Sequence, residues 1–179
     1  MISLVALTAA QKERYMAVAL AEAKKAAALG EVPIGAVIEL DGQIIAQAHN
    51  LRETSQDATD HAETMAIRQA CQTIGSWRLE RCRLFVTLEP CPMCAGAIIN
   101  SRIAEVYYGA PDPKAGAAGT LVDLLRDTRF NHQPLVFPDV EKQAAQELLQ
   151  QFFRAIRQRQ KMAKRHRQEQ ARPDPSKPD

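Results

Sequence analysis

Residues 83–110, RLFVTLEPCPMCAGAIINSRIAEVYYGA, place a short helical segment between two apolar, β-rich segments. The first, residues 83–90, ends at a proline, and the second, residues 104–110, has the same β-forming character. Residues 91–102 favour a helix, whose first turn tolerates Pro92. A strand, a helix and a strand in succession form a crossover unit, so we expect the two strands to lie parallel and adjacent in one sheet.

Two β-rich runs before this unit predict an antiparallel hairpin. Residues 34–40 and 43–48 flank the dipeptide Asp41-Gly42, which tolerates the positive φ angles of a tight hairpin turn. The polar segment that follows, LRETSQDATD, is expected to be a loop. The next helix is expected to begin at residue 60 or 61, because apolar residues then recur at helical spacing.

The remaining patterns complete a single layered domain. They predict a helix over residues 8–29, a short helix over 121–127, a strand over 134–138 and a long helix from about 140 to 168. Residues 1–168 are therefore expected to form one three-layer α/β/α domain, with helices on both faces of a mixed sheet of about five strands. Residues 169–179 are expected to be a disordered polar tail.

Composition and cysteine use limit the possible functions. Of the 179 residues, 46% are hydrophobic, which suffices for a core, but the longest apolar runs are too short to cross a bilayer. The N-terminal segment lacks the basic start of a secretory signal, so we expect a cytoplasmic protein. Four cysteines in a chain of this size do not form a disulfide scaffold. Cys91 and Cys94 are therefore expected to bind a metal or to act in redox chemistry.

The net charge of +2 is unevenly distributed along the chain. Residues 151–179 contain nine Lys or Arg and three Asp or Glu, whereas residues 1–150 contain fourteen and eighteen. Within the basic part, Arg154, Arg157 and Lys161 recur at helical spacing, and we call these three residues the basic stripe. A basic arm on an acidic body predicts a polyanionic partner. The alternative is that the charges only keep the end of the helix solvated.

Three residues at predicted helix starts form a candidate metal site. Cys91 and Cys94 are three residues apart, so they share one helix face, where unsatisfied N–H groups favour thiolates. His61 also stands at a helix start. Catalytic zinc sites keep their fourth position for water, whereas structural sites close with four protein ligands. His49 and His132 are weaker candidates for a fourth ligand, so the residues favour a catalytic zinc site.

Glu63, two residues after His61, can supply the base that an open zinc site needs. At a helix start both side chains can reach past the helix tip, and a carboxylate there can take a proton from water and pass it to a substrate. Two alternatives remain, namely a thioredoxin-type redox pair at the two cysteines and a purely structural zinc site. Neither alternative gives Glu63 a role.

The sequence HAE at residues 61–63, followed by PCPMC at 90–94, resembles the motif of the zinc-dependent nucleobase deaminases. Further segments, among them EVPIGAVI, AHN, DHAETMAIRQA and YYGAPDPKAGAAGTLVDLL, resemble successive blocks of the bacterial tRNA-specific adenosine deaminases over roughly residues 10–160. The resemblance implies a cytidine-deaminase-like fold, a homodimer and hydrolytic deamination of the wobble adenosine to inosine in tRNA anticodon loops. The resemblance further suggests an arginine tRNA as the substrate, although the sequence does not identify the isoacceptor.

The resemblance also assigns roles at the metal site. It implies one zinc ion per subunit, bound by His61, Cys91 and Cys94, which activates water for attack on C6 of adenine. It also implies that Glu63 is the proton shuttle, which carries a proton to N1 of the base and then helps ammonia to leave.

Substrate-binding roles follow from the same resemblance. It implies that Asn50 hydrogen-bonds the bound base, although an amide at the end of a strand can also be a simple turn former. Ala62 belongs to the same substrate-binding set. Asp112 and Lys114 match a loop that touches the RNA beside the target base, and the basic stripe suits phosphates of the anticodon stem.

Two other functions remain open. The first is a free-base or nucleoside deaminase, such as a guanine or cytosine deaminase, because these enzymes share the zinc motif. The DPKAGAAG loop and the basic helix are needless for so small a substrate. The second is a zinc-stabilised RNA-binding protein without activity, in which Glu63 would have no use.

Overall fold

The computed structural model describes residues 4–170 and has the predicted alternation of helices and strands. The elements along the chain are α1 (Ala9–Ala28), β1 (Gly35–Leu40), β2 (Gln43–His49), α2 (Arg52–Ser55), α3 (Ala62–Ile74), β3 (Arg83–Leu88), α4 (Pro92–Ser101), β4 (Glu105–Ala110), β5 (Leu135–Phe137) and α5 (Lys142–Gln170).

The five strands form one mixed sheet in the order β2-β1-β3-β4-β5. β1 pairs antiparallel with both β2 and β3, whereas β3 pairs parallel with β4, and β4 with β5. The parallel pair around α4 confirms the predicted crossover unit. The hairpin turn is also confirmed, since Asp41 and Gly42 have φ angles of 50° and 88°. The predicted fold class is therefore correct.

One face of the sheet carries a layer of aromatic rings beneath α1. Tyr15 of α1 packs against Phe85 of β3, with ring centroids 5.1 Å apart. Phe85 stacks on Tyr107 of β4, and Tyr107 on Phe137 of β5, each at 4.5 Å. The alternation of side chains along a strand sends these rings to one side and their neighbours to the other.

The opposite face packs against α3 and α4. Its core consists largely of small and branched aliphatic residues: Ala36, Ile38, Leu84, Val86 and Val106 from the sheet, with Ala66, Ala70, Ala95 and Ile98 from the two helices. Small residues on α3 and α4 bring both helices close to the sheet. The first residues of α3 and α4 consequently lie beside the ends of the strands that precede them.

Glycines allow α1 and α5 to approach the first face closely. A Cβ atom on Gly35 would lie 2.0 Å from the carbonyl oxygen of Ala19 and 2.5 Å from the amide nitrogen of Ala23. A Cβ atom on Gly109 would lie 2.9 Å from that of Ala145 on α5. α5 also contacts α1, so both helices cover the same face, and α3 and α4 cover the other.

The predicted helix over residues 121–127 is wrong. The segment forms turns, and its backbone bonds to the preceding loop, as when the Leu124 amide donates to the carbonyl oxygen of Ala117 at 3.0 Å. Leu125 is fully buried beneath these turns. Tertiary contacts at this short segment therefore outweigh its helix propensity.

Two other boundaries differ from the prediction. The expected polar loop after β2 contains the one-turn helix α2, and α5 continues to Gln170, two residues past its expected end. Of the predicted tail, residues 171–179 lie outside the described residues, and the tail stays a prediction. Between residues 4 and 170, no helix has the length and apolar character needed to cross a bilayer.

Candidate metal centre

The candidate metal-binding side chains stand at the N-termini of two helices. His61 is the N-cap residue of α3 and Cys91 is the N-cap residue of α4, and both have extended backbone angles. Cys94 lies in the first turn of α4. Since α3 and α4 cover the same face of the sheet, their first turns meet at one end of it.

The distances between the ligand atoms fit a tetrahedral metal site. His61 Nδ1 lies 3.7 Å from Cys91 Sγ and 3.6 Å from Cys94 Sγ, and the three ligand atoms are all within 4.8 Å of one another. Tetrahedral zinc with ordinary Zn–N and Zn–S bonds separates such ligands by roughly 3.6 Å. One imidazole and two sulfurs are also ligands that zinc prefers, so these residues fit the ion that the motif implies.

The two candidates for a fourth protein ligand lie elsewhere. His49 Nδ1 is 2.8 Å from Glu22 Oε2 on α1, and His132 Nε2 is 2.7 Å from the carbonyl oxygen of Ile103. Within residues 4–170, the group able to hold a metal contains only His61 and the two cysteines. Three protein ligands leave one tetrahedral position for water or substrate, as in catalytic sites.

Hydrogen bonds among the ligands favour thiolate character. The Cys94 thiol lowers the pKa of Cys91 to about 4, and the hydrogen bond between Cys91 and His61 also lowers it. The same contact with Cys91, together with burial, raises the pKa of Cys94. Because thiolates bind metals and thiols do not, a pair that already contains one thiolate beside a histidine suits a divalent cation.

Glu63 lies in the first turn of α3 and is 3% exposed. Burial, together with a smaller effect of the neighbouring Cys91, raises the pKa of Glu63 to about 7. Its Oε2 atom is buried without a hydrogen-bond partner. A buried carboxylate oxygen without a donor is costly, and perturbed groups of this kind cluster at functional sites. A pKa near neutrality allows Glu63 both to accept and to release a proton.

Asn50 follows β2, and its side-chain amide is hydrogen-bonded to Glu31, a residue that the sequence analysis did not single out. Asn50 Nδ2 donates to Glu31 Oε2 at 3.1 Å, and the Thr54 amide donates to Glu31 Oε1 at 2.5 Å. Because a carboxylate only accepts, this bond fixes which way the Asn50 amide points. Glu31 is 1% exposed. Its position as an acidic residue between the end of α1 and the start of β1 is the sequence signal that could have marked it as a functional residue.

The Asn50 segment adjoins the metal centre through its backbone. The Leu51 amide donates to the carbonyl oxygen of Asp60, the residue before His61, at 3.1 Å. Ala62, between the metal ligand and Glu63, has no exposed surface and packs in the core. The segment after β2 and the start of α3 therefore adjoin each other through their backbones.

Residues 111–120, which we call the 111–120 loop, lie against the entry to α4. The Ala117 amide donates to the carbonyl oxygen of Pro90 at 2.8 Å, one residue from Cys91. Within the loop, the Lys114 amide donates to Asp112 Oδ1 at 2.9 Å, and Lys114 is exposed.

The basic stripe is also exposed, but α5 covers the opposite face of the sheet from α3 and α4. The structure thus brings together the three predicted metal ligands and Glu63, with Asn50 and the loop beside them. It does not place the stripe at the metal centre.

Comparison with known proteins finds deaminases by sequence and by structure. The model of the MafB19-like deaminase family matches residues 10–157. A tRNA-specific adenosine deaminase from Bacillus subtilis is 53% identical over 156 residues, which are 87% of this chain and 97% of that protein.

Two solved structures mark the leading function and its alternative. A structure from a study of adenosine-to-inosine editing by tRNA wobble deaminases superposes with a TM-score of 0.74 at 44% identity, over 76% of this chain and 99% of the other. A Bacillus subtilis guanine deaminase is 42% identical with a TM-score of 0.55, over 63% and 72% of the two chains.

Proposed function

This chain belongs to the MafB19-like deaminase family, with tRNA-specific adenosine deaminases as close relatives, and from that premise we propose that it hydrolytically deaminates the wobble adenosine of tRNA anticodon loops to inosine. The observation that carries the proposal is the pairing of His61, Cys91 and Cys94 with Glu63, whose buried Oε2 has no hydrogen-bond partner. A structural metal site has no use for such a carboxylate.

The chemistry needs one cofactor and one mobile proton carrier. When bound by His61, Cys91 and Cys94, a zinc ion supplies the activation of water at neutral pH. Glu63 moves one proton from the attacking water to N1 of adenine. It then delivers the second proton of that water to the departing amino group, so that adenosine and water become inosine and ammonia. A pKa of about 7 suits both transfers.

The target base must leave its stack to reach this site. The Asn50 amide, fixed by Glu31, is oriented to bind the base. Ala62 holds the spacing between His61 and Glu63 at the start of α3. Asp112 and Lys114 contact the RNA strand beside the target.

The basic stripe on α5, including Arg154 and Arg157, contacts stem phosphates of the tRNA. The uneven distribution of charge along the chain, with nine Lys or Arg in residues 151–179, supports this part of the proposal.

The rest of the assignment rests on the resemblance to the family and on the exposed apolar surface. We expect a homodimer in the cytoplasm that acts on an arginine tRNA. Between residues 121 and 135, four large apolar side chains are more than 40% exposed and support burial against a second copy: Leu121, Val122, Phe130 and Leu135.

Mass spectrometry for inosine in an anticodon stem-loop incubated with the zinc-loaded protein tests the proposal. Free adenosine, guanine and cytosine serve as comparison substrates, and a stem-loop with guanosine at the wobble position serves as the RNA control. We expect inosine only in the stem-loop with adenosine. Deamination of a free base without the stem-loop would support the guanine or cytosine deaminase alternative. RNA binding without any deamination would indicate an inactive RNA-binding protein.

A further inference from the structure

We propose that Glu89 is a positioning residue that closes the 111–120 loop against the metal centre and thereby sets how tightly the RNA beside the target adenosine is held. This inference rests on the proposed function, in which that loop contacts RNA. Glu89 follows β3 directly, is 2% exposed and precedes Cys91 by two residues. It is not a metal ligand and does not touch the reacting atoms in the mechanism above.

The Glu89 carboxylate accepts four hydrogen bonds, all from the 111–120 loop. Its Oε1 atom accepts from the amides of Ala118 at 2.9 Å and Thr120 at 3.0 Å. Its Oε2 atom accepts from the amide of Asp112 at 3.0 Å and from the hydroxyl of Thr120. One buried side chain thus ties the beginning of the loop to its end.

The loop is shaped to fit this carboxylate. A Cβ atom on Gly116 would lie 2.4 Å from Glu89 Oε2, so the loop passes too close for any other residue. The Gly116 amide donates to the carbonyl oxygen of Asp112 at 2.9 Å, which tightens the same turn. The carboxylate therefore acts as the internal template of the loop.

This arrangement fixes the distance between the metal centre and the loop's exposed groups. Glu89 and Cys91 are on one short segment. The loop that carries Asp112 and Lys114 is hydrogen-bonded to Glu89. A base held at the metal is therefore at a set distance from the backbone held by the loop. When the supporting side chain no longer fits, the loop holds the RNA less tightly, while the reacting groups at the metal centre stay in place.

A carboxylate can satisfy this loop and an amide cannot. Glu89→Gln has the same shape but turns one acceptor oxygen into an NH₂ donor. If Oε1 is replaced, the new donor faces the amides of Ala118 and Thr120. If Oε2 is replaced, it faces the Asp112 amide, and only the Thr120 hydroxyl can rotate to accept.

The first test is Glu89→Gln in the zinc-loaded protein. Hydrogen exchange of the free protein should be faster at the amides of Asp112, Ala118 and Thr120, while zinc stays at one per chain. Affinity for the anticodon stem-loop should fall about tenfold. The slope of log affinity against log salt should flatten by about 0.7 if the Lys114 phosphate contact is lost. The single-turnover rate at saturating RNA should stay within about threefold of wild type, because the reacting groups are unchanged.

A matched pair at Thr120 covers the case in which Glu89→Gln does not fold. Thr120→Val removes one hydrogen bond to Glu89 and keeps the side-chain shape, whereas Thr120→Ser keeps the hydroxyl. We expect Thr120→Val to weaken stem-loop binding and to speed exchange in the loop, and Thr120→Ser to match wild type.

Three results would overturn the inference. Zinc loss in Glu89→Gln would mean that Glu89 only supports Cys91. Unchanged exchange in the loop would mean that the carboxylate does not hold it, and faster exchange with unchanged RNA affinity would mean that the loop does not hold RNA. Failure of the wild-type protein to deaminate the stem-loop would instead overturn the proposed function. Because hydrogen exchange is measured without RNA, it tests the role of Glu89 in the loop separately from the proposed function.

Discussion

The substitution Glu63→Gln separates the chemistry of this site from its metal binding and its fold. Glutamine keeps the volume and the planar shape of the side chain but cannot carry a proton at neutral pH. A positioned acid–base group contributes about 10²–10⁴-fold to a rate. Because Glu63 moves two protons in the proposed reaction, we expect kcat to fall by at least about 10⁴, or about 5.5 kcal/mol of barrier.

The same substitution should not destabilise the protein. Glu63 Oε2 has no hydrogen-bond partner to lose, and burial raises the pKa of Glu63 from 4.5 to about 7. A carboxyl group whose pKa is raised by folding stabilises the fold below its unfolded pKa, and this contribution is lost as pH rises through the folded pKa. An uncharged glutamine avoids that loss, so stability above pH 7 should rise by at most about 3 kcal/mol, since a bound cation offsets part of the cost.

The assay is single-turnover formation of inosine in the stem-loop, with zinc content and the thermal midpoint measured on the same samples. Glu80→Gln is the matched control, because Glu80 is an exposed carboxylate in the turn before β3. Near-normal turnover in Glu63→Gln, with zinc retained, would remove Glu63 from the mechanism. A loss of zinc together with activity would show that Glu63 supports the metal and that the rate loss says nothing about proton transfer.

Three further predictions concern the metal, the RNA and acid stability. Cys91→Ala and Cys94→Ala should each lose most zinc by elemental analysis, whereas Cys71→Ala should keep it; full retention in either of the first two would exclude that ligand. Neutralising the basic stripe should flatten the salt dependence of stem-loop binding by at most about two units, at about 0.7 per contact, with zinc unchanged; an unchanged slope would mean that the stripe only faces solvent. Burial raises the pKa values of Glu22 and Glu31, but hydrogen bonds outweigh it and lower them overall. The stability that these two carboxylates contribute is therefore present above the unfolded pKa of 4.5 and is lost as pH falls through their folded pKa values. The thermal midpoint of unfolding should fall as pH drops below that range, and it should fall less steeply in Glu31→Gln than in the wild type.

Local spacing predicted each half of the candidate metal centre, and the resemblance to the deaminase motif joined the two halves. His61 and Glu63 are two residues apart, and Cys91 and Cys94 are three apart, so each pair is held by its own helix start. The crossover between β3 and β4 was also predictable, because a strand, a short helix and a strand leave one favoured connection. In both cases a local pattern places the residues at the end of an element, and the packing of α3 and α4 on one face of the sheet brings the two halves together.

Contacts between distant residues explain what the sequence did not reveal. Residues 121–127 have a helical composition, but Leu125 is buried under a loop and the backbone bonds to Ala117. The partners of Glu31 are 19 and 23 residues away, and no periodic pattern connects them. Sequence patterns describe which face of an element is apolar, and they carry little information about which loop a single buried carboxylate will hold.

Glu31 and Glu89 hold their neighbouring loops in the same physical way. Each is a buried carboxylate that accepts hydrogen bonds from a segment to which the proposed function assigns substrate contacts, namely Asn50 and its neighbours for Glu31 and the 111–120 loop for Glu89. Irregular loops near a site leave N–H groups pointing inward, and an acceptor-only side chain can satisfy several of them at once. Burying that charge is tolerable because the N–H donors surround it, and for Glu31 and Glu89 alike these hydrogen bonds lower the pKa despite burial. Glu63, whose Oε2 has no donor, has a raised pKa, which is the property that a proton carrier needs and a loop anchor does not.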